Sequence, residues 1–242
     1  METNNCDNDQ VVKIIRIILI VIGIIMIEIY YATPGIQLYK FYKKQIPEKL
    51  LPTIQILTNF LNTINWIISG TRKNDNNNID LQKIICNSIG AFIGGVLVFY
   101  LWMLYSKNKK NEHLIYLFMI FNVFFQIFYA LFKLSKPIIS QYLSGAFNIL
   151  MYATPLIHTY YAHQNKNRDI IPIVNVTFGA IASFTWTIYG IVGVVNCNTN
   201  DYVSMISNSV SFVLLIVNII MYFRIPKPKN RMSTTEPLYN KD

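Results

Sequence analysis

Two pairs of side chains stand out by type and spacing: Trp66 with Trp186, 120 residues apart, and Asn87 with Asn208, 121 apart. An indole face is a platform for the C–H edge of a sugar ring or another flat apolar surface. An asparagine amide offers both a donor and an acceptor. Together they suit a polyhydroxylated ligand. Taken singly, the indoles also fit an aromatic belt at the membrane interface and the asparagines fit glue between helices. Duplication at one depth favours a binding site. Trp66 lies about 21 Å along a helix from Pro52, and Asn87 about 10 Å from Asp80 at the opposite end of the next one, at a rise of 1.5 Å per residue. Both arrive at a similar depth. Cys6, Cys86 and Cys197 show no metal-ligand spacing and no CxxC, although Cys6 and Cys197 could pair on one side of the membrane. No cluster of His, Cys or carboxylates has catalytic or metal spacing, so the reading is of a non-enzyme with no metal and no cofactor.

The elements that position these residues are membrane spans. Hydrophobic residues make up 53% of the chain and charged residues 14%, a balance that belongs in lipid. Stretches of about 20 apolar residues, enough to cross roughly 30 Å of hydrocarbon as helix, fall at 11–31 (continuing to about 42), 51–70, 82–105, 114–132, 139–161, 170–195 and 202–223. Connections this short leave no room for a separate soluble domain. The opening METNNCDNDQ is acidic, so the first run is expected to be a retained span rather than a cleaved signal. A net charge of +9 raises nucleic acid as a partner, but the cations segregate by loop. Lys40, Lys43, Lys44, Lys107, Lys109, Lys166, Arg168 and the basic tail lie on one side; Asp7, Asp9, Asp75, Asp80 and Asp201 lie on the other. The positive-inside rule then puts the N-terminus outside the cytosol and the C-terminus inside, with the tail facing anionic lipid and no nucleic acid. The expected location is multi-pass, in a plasma membrane or endomembrane.

The chain also repeats itself. YATP begins at Tyr31 and again at Tyr152, and in that register Pro52 matches Pro172, Trp66 matches Trp186, Gly70 matches Gly190 and Asn87-Ser88 matches Asn208-Ser209. Offsets steady to one residue across three spans identify two copies of a three-helix unit. Three crossings end on the far side, so a fourth span, 114–132, must invert the chain before a second copy starts the same way up. The expected fold is an all-α membrane protein of seven transmembrane helices, two parallel triple-helix bundles joined by a linker helix (3+1+3). Its parts are an N-terminal segment 1–10, a first bundle 11–106, a linker 107–136, a second bundle 137–225 and a tail 226–242. Parallel repeats of this kind place a substrate site near mid-membrane between the halves.

Pro34 and Pro155 come late in their spans and should each remove a backbone hydrogen bond and bend the chain, while Pro52 and Pro172 start the next spans. Singly, the latter two read as helix starts; as a set, the four form a symmetric ring of hinges at the cytosolic end. Gln55, Asn59, Asn62, Trp66 and Ser69 share a sector of one helix, a polar stripe that needs water, ligand or a neighbouring helix. The matching places in the second copy, Asn175, Gly179, Ala182, Trp186 and Tyr189, are more apolar. Tyr30 and Met151, one turn before the late prolines, are candidates for the cavity floor that favours a small ligand, or for plain packing. Glu28, inside the first span, costs roughly 2.5–3.5 kcal/mol on insertion scales if charged, so pairing, neutrality or a cavity-facing position is expected. A proton-coupling role is the alternative to structural pairing. His158 reads as a packed histidine. The only N-x-S/T site, at Asn175, falls inside a span.

With YATP in span one, MYATP in span five, the P-x13-W-x3-G pattern in spans two and six, and an Asn after each third-span entry, the chain resembles the SWEET sugar-transporter family (MtN3/saliva, PQ-loop superfamily) over roughly residues 20–225. The resemblance implies two triple-helix bundles with a linker helix, and facilitated, bidirectional diffusion of mono- or disaccharides by alternating access. It implies a sugar site of Asn87, Asn208, Trp186 and Trp66 with Asn62 at the second-span pocket position. Pro34, Pro52, Pro155 and Pro172 would form the cytosolic gate; Tyr30 and Met151 are selectivity candidates by their place one turn before the late prolines alone. Asp201 matches an acidic residue of the outer gate, and Asn65 stands where many members carry Tyr beside the second-span Trp. The partners implied are a small sugar and the bilayer; a homo-oligomer is open. No proline is followed by the Gln of the PQ dipeptide. The rival readings are a proton-coupled carrier of a cationic or zwitterionic solute such as an amino acid, and a cargo-sorting receptor on the same scaffold.

Overall fold

The computed structural model describes residues 10–43, 46, 51–71, 81–106, 120, 137–197 and 202–227. Among them the long elements are all helices: α1 Gln10–Ala32, α2 Pro34–Tyr42, α3 Thr53–Thr71, α4 Leu81–Ser106, α5 Pro137–Ala153, α6 Pro155–Gln164, α7 Ile173–Cys197 and α8 Tyr202–Arg224. A single 3-10 turn, Arg168–Ile170, precedes α7, and no strand occurs among the described residues. The expected linker span 114–132 apart from residue 120, the acidic N-terminal segment including Cys6, Asp80, Asp201 and the tail beyond residue 227 lie outside the described residues.

Each proline acts where its chemistry requires. Pro34 has no N–H to give, and the helical ladder breaks there: Thr33 N–H still bonds Ile29 at 3.0 Å, then Ile36 N–H bonds the Thr33 carbonyl in a shorter turn at 3.0 Å. The second copy repeats the break, with Thr154 N–H on the Met151 carbonyl at 3.4 Å and Ile157 N–H on Thr154 at 3.1 Å. So α1–α2 and α5–α6 are each one long helix interrupted at proline. Pro52 and Pro172 sit just before α3 and α7, where a missing N–H is harmless. Their carbonyls accept the first helical bonds from Ile56 at 2.9 Å and Val176 at 3.0 Å.

Polarity is arranged inside out. On α4 the exposed side chains Ile85, Ile89, Phe92, Val96 and Phe99 recur every three or four residues, and Ile206, Val210, Val213, Val217 and Ile220 do the same on α8. Meanwhile α3 buries Gln55, Thr58, Asn59, Asn62, Thr63, Asn65 and Ser69. A water-soluble domain hides its apolar residues and displays its polar ones; the reverse is what lipid selects. Three helices, Leu81–Leu104, Ile173–Val195 and Tyr202–Arg224, are long and apolar enough to cross a bilayer by length and composition.

The packing of the long helices has the symmetry of the repeat. Helix α1 packs on α7, as α5 packs on α3; α3 packs on α4, as α7 packs on α8; and α1 touches α4, more sparsely than α5 touches α8. Exchanging the first copy for the second maps every one of these pairings onto another. Copies therefore meet along two seams, α1 with α7 and α3 with α5. The first seam is close because two glycines allow it. A methyl group on Gly23 would lie 2.9 Å from the Trp186 ring, and one on Gly179 would lie 2.8 Å from the Tyr30 ring. A core of Tyr30, Tyr31, Met151, Tyr152, Val176 and Leu215 joins the two copies where these helices converge.

Candidate functional site

Between the copies lies a cleft of about 710 Å³, counting its open mouth. Its walls come in pairs related by the repeat: Trp66 and Trp186, Asn87 and Asn208, Tyr31 and Tyr152. Helix spacing explains the convergence, since a tryptophan fourteen residues into α3 or α7 meets an asparagine two turns into α4 or α8. The cleft ends on Tyr31, Asn62 and Tyr152, and runs toward Gln82, Lys83 and Ser204, where α4 and α8 begin.

The paired amides are not equivalent. Each donates back to its own helix, Asn87 Nδ2 to the Lys83 carbonyl and Asn208 Nδ2 to the Ser204 carbonyl, both at 2.8 Å. Asn208 Oδ1 is also engaged, accepting from Asn148 Nδ2 at 3.1 Å. Asn148 corresponds to Ile27 in the first copy, and both line the cleft. The indoles differ too. Trp66 is 8% exposed and lies beneath the Lys83 ammonium at 5.8 Å from its ring centre; Trp186 is half-buried and meets Tyr189 edge-on at 5.5 Å. At the mouth, Arg16 Nη2 donates to the Tyr189 hydroxyl at 2.7 Å, which donates to Gln82 Oε1 at 3.2 Å, joining α1, α7 and α4.

Of the residues singled out in the sequence, Trp66, Trp186, Asn87, Asn208 and Asn62 come together around one cleft. Asn62 Nδ2 donates to the Tyr31 hydroxyl at 3.3 Å and faces Met151 Sδ at 3.6 Å. Tyr30 and Met151 do not line the cleft: both are fully buried in the layer between it and the prolines. Asn65 is buried with neither amide atom hydrogen-bonded among the described residues and is not part of the lining. Asp201, its expected companion at the outer gate, is outside the described residues. Glu28 is half-buried beside the Gly90 backbone near the α1–α4 contact, its carboxylate oxygens without a hydrogen-bond partner among the described residues. His158 is buried, as expected of a packed histidine. Sequence reasoning missed Asn148, Tyr31 and Tyr152 as lining. The two tyrosines were signalled by the YATP repeat itself; Asn148 sits one turn ahead of the second YATP.

Comparison with known proteins agrees with this geometry. Residues 141–230, the second copy, match the family model described as sugar efflux transporter for intercellular exchange. The bidirectional sugar transporter SWEET8 of Arabidopsis thaliana is 24% identical over 235 residues, covering 93% of this chain and 94% of its own. A solved eukaryotic SWEET transporter superposes with a TM-score of 0.69 at 14% identity, covering 89% of this chain and 99% of that one. The class these findings define is a multi-pass membrane protein of a transporter family rather than an enzyme family. They support one family for this chain, the SWEET sugar transporters (MtN3/saliva).

Proposed function

We propose that this chain is a passive, bidirectional carrier of sugars that works by alternating access across two parallel triple-helix bundles, 11–106 and 137–225, joined by a linker helix within 107–136. The observation that carries the reading is the cleft between the copies, walled by two indoles and two amides in repeat-related pairs. A pyranose would lie with its C–H faces against Trp66 and Trp186 while its hydroxyls trade water for the amides of Asn87 and Asn208. Because Tyr31, Tyr152 and Asn62 fill the inner end of the cleft, the lining favours a monosaccharide over a disaccharide. The N-terminus faces away from the cytosol and the four prolines lie toward it, as the distribution of basic loops implies. Pro34, Pro52, Pro155 and Pro172 form the cytosolic gate, and the side bearing Asp201 and Asn65 forms the outer one.

The test is uptake of tracer sugar into proteoliposomes holding the full chain, with competition by hexoses, sucrose and amino acids. Flux in both directions without an ion gradient, competed by hexoses, is expected. No flux, or competition by amino acids alone, refutes the reading. A proton-coupled carrier is a second reading, supported by the carboxylate of Glu28, which has no hydrogen-bonded side-chain partner among the described residues and stands in a helix expected to cross the membrane. Uptake that collapses with a protonophore and is restored in Glu28→Gln to a gradient-independent leak would favour it.

A further inference from the structure

A proline inside a helix leaves the carbonyl four residues earlier without its helical donor. In this chain Pro34 frees the carbonyl of Tyr30, and Pro155 frees that of Met151. Within a membrane such a group must find another partner, because hydrocarbon offers none. The first partner is local. Thr33 Oγ1 donates to the Tyr30 carbonyl at 2.9 Å, and Thr154 Oγ1 donates at 2.6 Å to the Met151 carbonyl, which also takes the Thr154 N–H at 3.4 Å. This accounts for the threonine before proline in both copies of YATP.

The second partner crosses between the copies, and it does so reciprocally. Asn175 of α7 donates through Nδ2 to the Tyr30 carbonyl at 3.0 Å and to Thr33 Oγ1 at 2.5 Å. In return the Tyr30 hydroxyl of α1 donates to the Met151 carbonyl at 3.3 Å. Gln55 of α3 then donates through Nε2 to Asn175 Oδ1 at 2.7 Å, which fixes the amide with its NH2 toward Tyr30. The positions are symmetric even though the residues are not: Tyr30 and Met151 stand four before a proline, Gln55 and Asn175 three after one. All four are at most 3% exposed and together close the space between the cleft and the prolines.

We infer that Tyr30 and Asn175, with Gln55 as the residue that orients the Asn175 amide, form the latch of the proline end. Their bonds to the two proline-freed carbonyls hold the copies together while the cleft is shut on that side. Resting on the alternating-access reading above, the latch must release for the carrier to open toward the prolines. Release leaves each carbonyl its threonine and exchanges the cross-copy donor for incoming water. The net strength of each bond is therefore small, as a gate that cycles requires.

Spin labels at Tyr42→Cys and His163→Cys, exposed mates on α2 and α6, read the opening of this end by pulsed distance measurement in proteoliposomes, with Cys6, Cys86 and Cys197 changed to Ser. Tyr30→Phe, which keeps the ring and removes only the hydroxyl, and Asn175→Ala should each raise the open-to-closed ratio about 3- to 10-fold, the worth of one neutral hydrogen bond. An unchanged ratio in both variants, or one unvarying distance throughout, overturns the latch. Tracer sugar uptake in the same vesicles is scored separately. Normal uptake with an unresponsive ratio defeats the latch alone, and a responsive ratio without uptake supports the latch and defeats the sugar reading.

Discussion

The first and second copies of the helix triplet share their packing and differ in what they expose to each other. On α3 the inward face carries Gln55, Asn59 and Asn62 beside Trp66, whereas the same face of α7 carries Asn175, Gly179 and Ala182 beside Trp186. At the proline end the contrast inverts. The first copy packs Leu38 against a cluster with Leu57, Leu61 and Leu101, while the second hydrogen-bonds Thr159 to Asn218. Helix-to-helix contacts need only the backbone path and small residues at the seams, so the scaffold tolerates divergent linings. Divergence is also what lets mates complement one another: a tyrosine hydroxyl reaches a carbonyl beside a methionine, and a glutamine donates to an asparagine. Two identical copies would place like groups against like across the axis.

The largest test of this asymmetry sets the two indoles against each other. Trp66→Ala should cost about 3–5 kcal/mol of stability, because truncating a buried aromatic leaves a cavity; thermal unfolding of the purified protein would register it as a large drop in Tm. Trp186→Ala, at a half-buried site, should lower Tm less than Trp66→Ala does and should also raise the sugar concentration for half-maximal flux several-fold, for about 0.5–1.5 kcal/mol of stacking. Equal behaviour of the two would erase the distinction.

Next is the close seam. Gly23→Ala drives a methyl group into the Trp186 ring, where it would sit 2.9 Å away, and overpacking of this kind costs about 1–3 kcal/mol. Flux and Tm should both fall; an unchanged Tm in Gly23→Ala would show that the seam can give way without cost.

At the proline end the second copy can be rewritten as the first. Asn218→Leu alone strips Thr159 of its partner and should cost about 1–3 kcal/mol, whereas Thr159→Leu with Asn218→Leu, matching Leu38 and Leu97, should recover most of it. A double variant no more stable than the single one would show that the two copies' environments are not interchangeable there. The smallest effect belongs to Asn148→Ala. It frees Asn208 Oδ1, and competition assays should detect a change in relative affinity among hexoses of no more than the ~3- to 10-fold that one neutral hydrogen bond is worth.

Much of this was legible in the sequence, for a reason rooted in helix geometry. Spacing along one helix fixes depth, so Trp66, Trp186, Asn87 and Asn208 could be set at a common level before any packing was known. The prolines likewise announced which carbonyls would be freed. Rotation about each helix axis was not legible, because neighbours set it. Asn148 faces Asn208 only through the way α5 packs on α8, and Tyr30 with Met151 turns out to sit under the cleft rather than in it. Partners drawn from three helices, such as Arg16, Tyr189 and Gln82, leave no spacing pattern to find.

The central claim is that the paired amides and indoles between the copies bind the sugar that is carried. Tracer glucose flux through proteoliposomes, comparing the wild-type chain with Asn87→Ala and Asn208→Ala at matched protein content, tests it most directly. The account predicts robust wild-type flux in both directions and a loss of roughly tenfold or more in each variant, as expected when a bound polar ligand loses a hydrogen-bonding partner worth over 1.4 kcal/mol. Flux unchanged in both variants would contradict it.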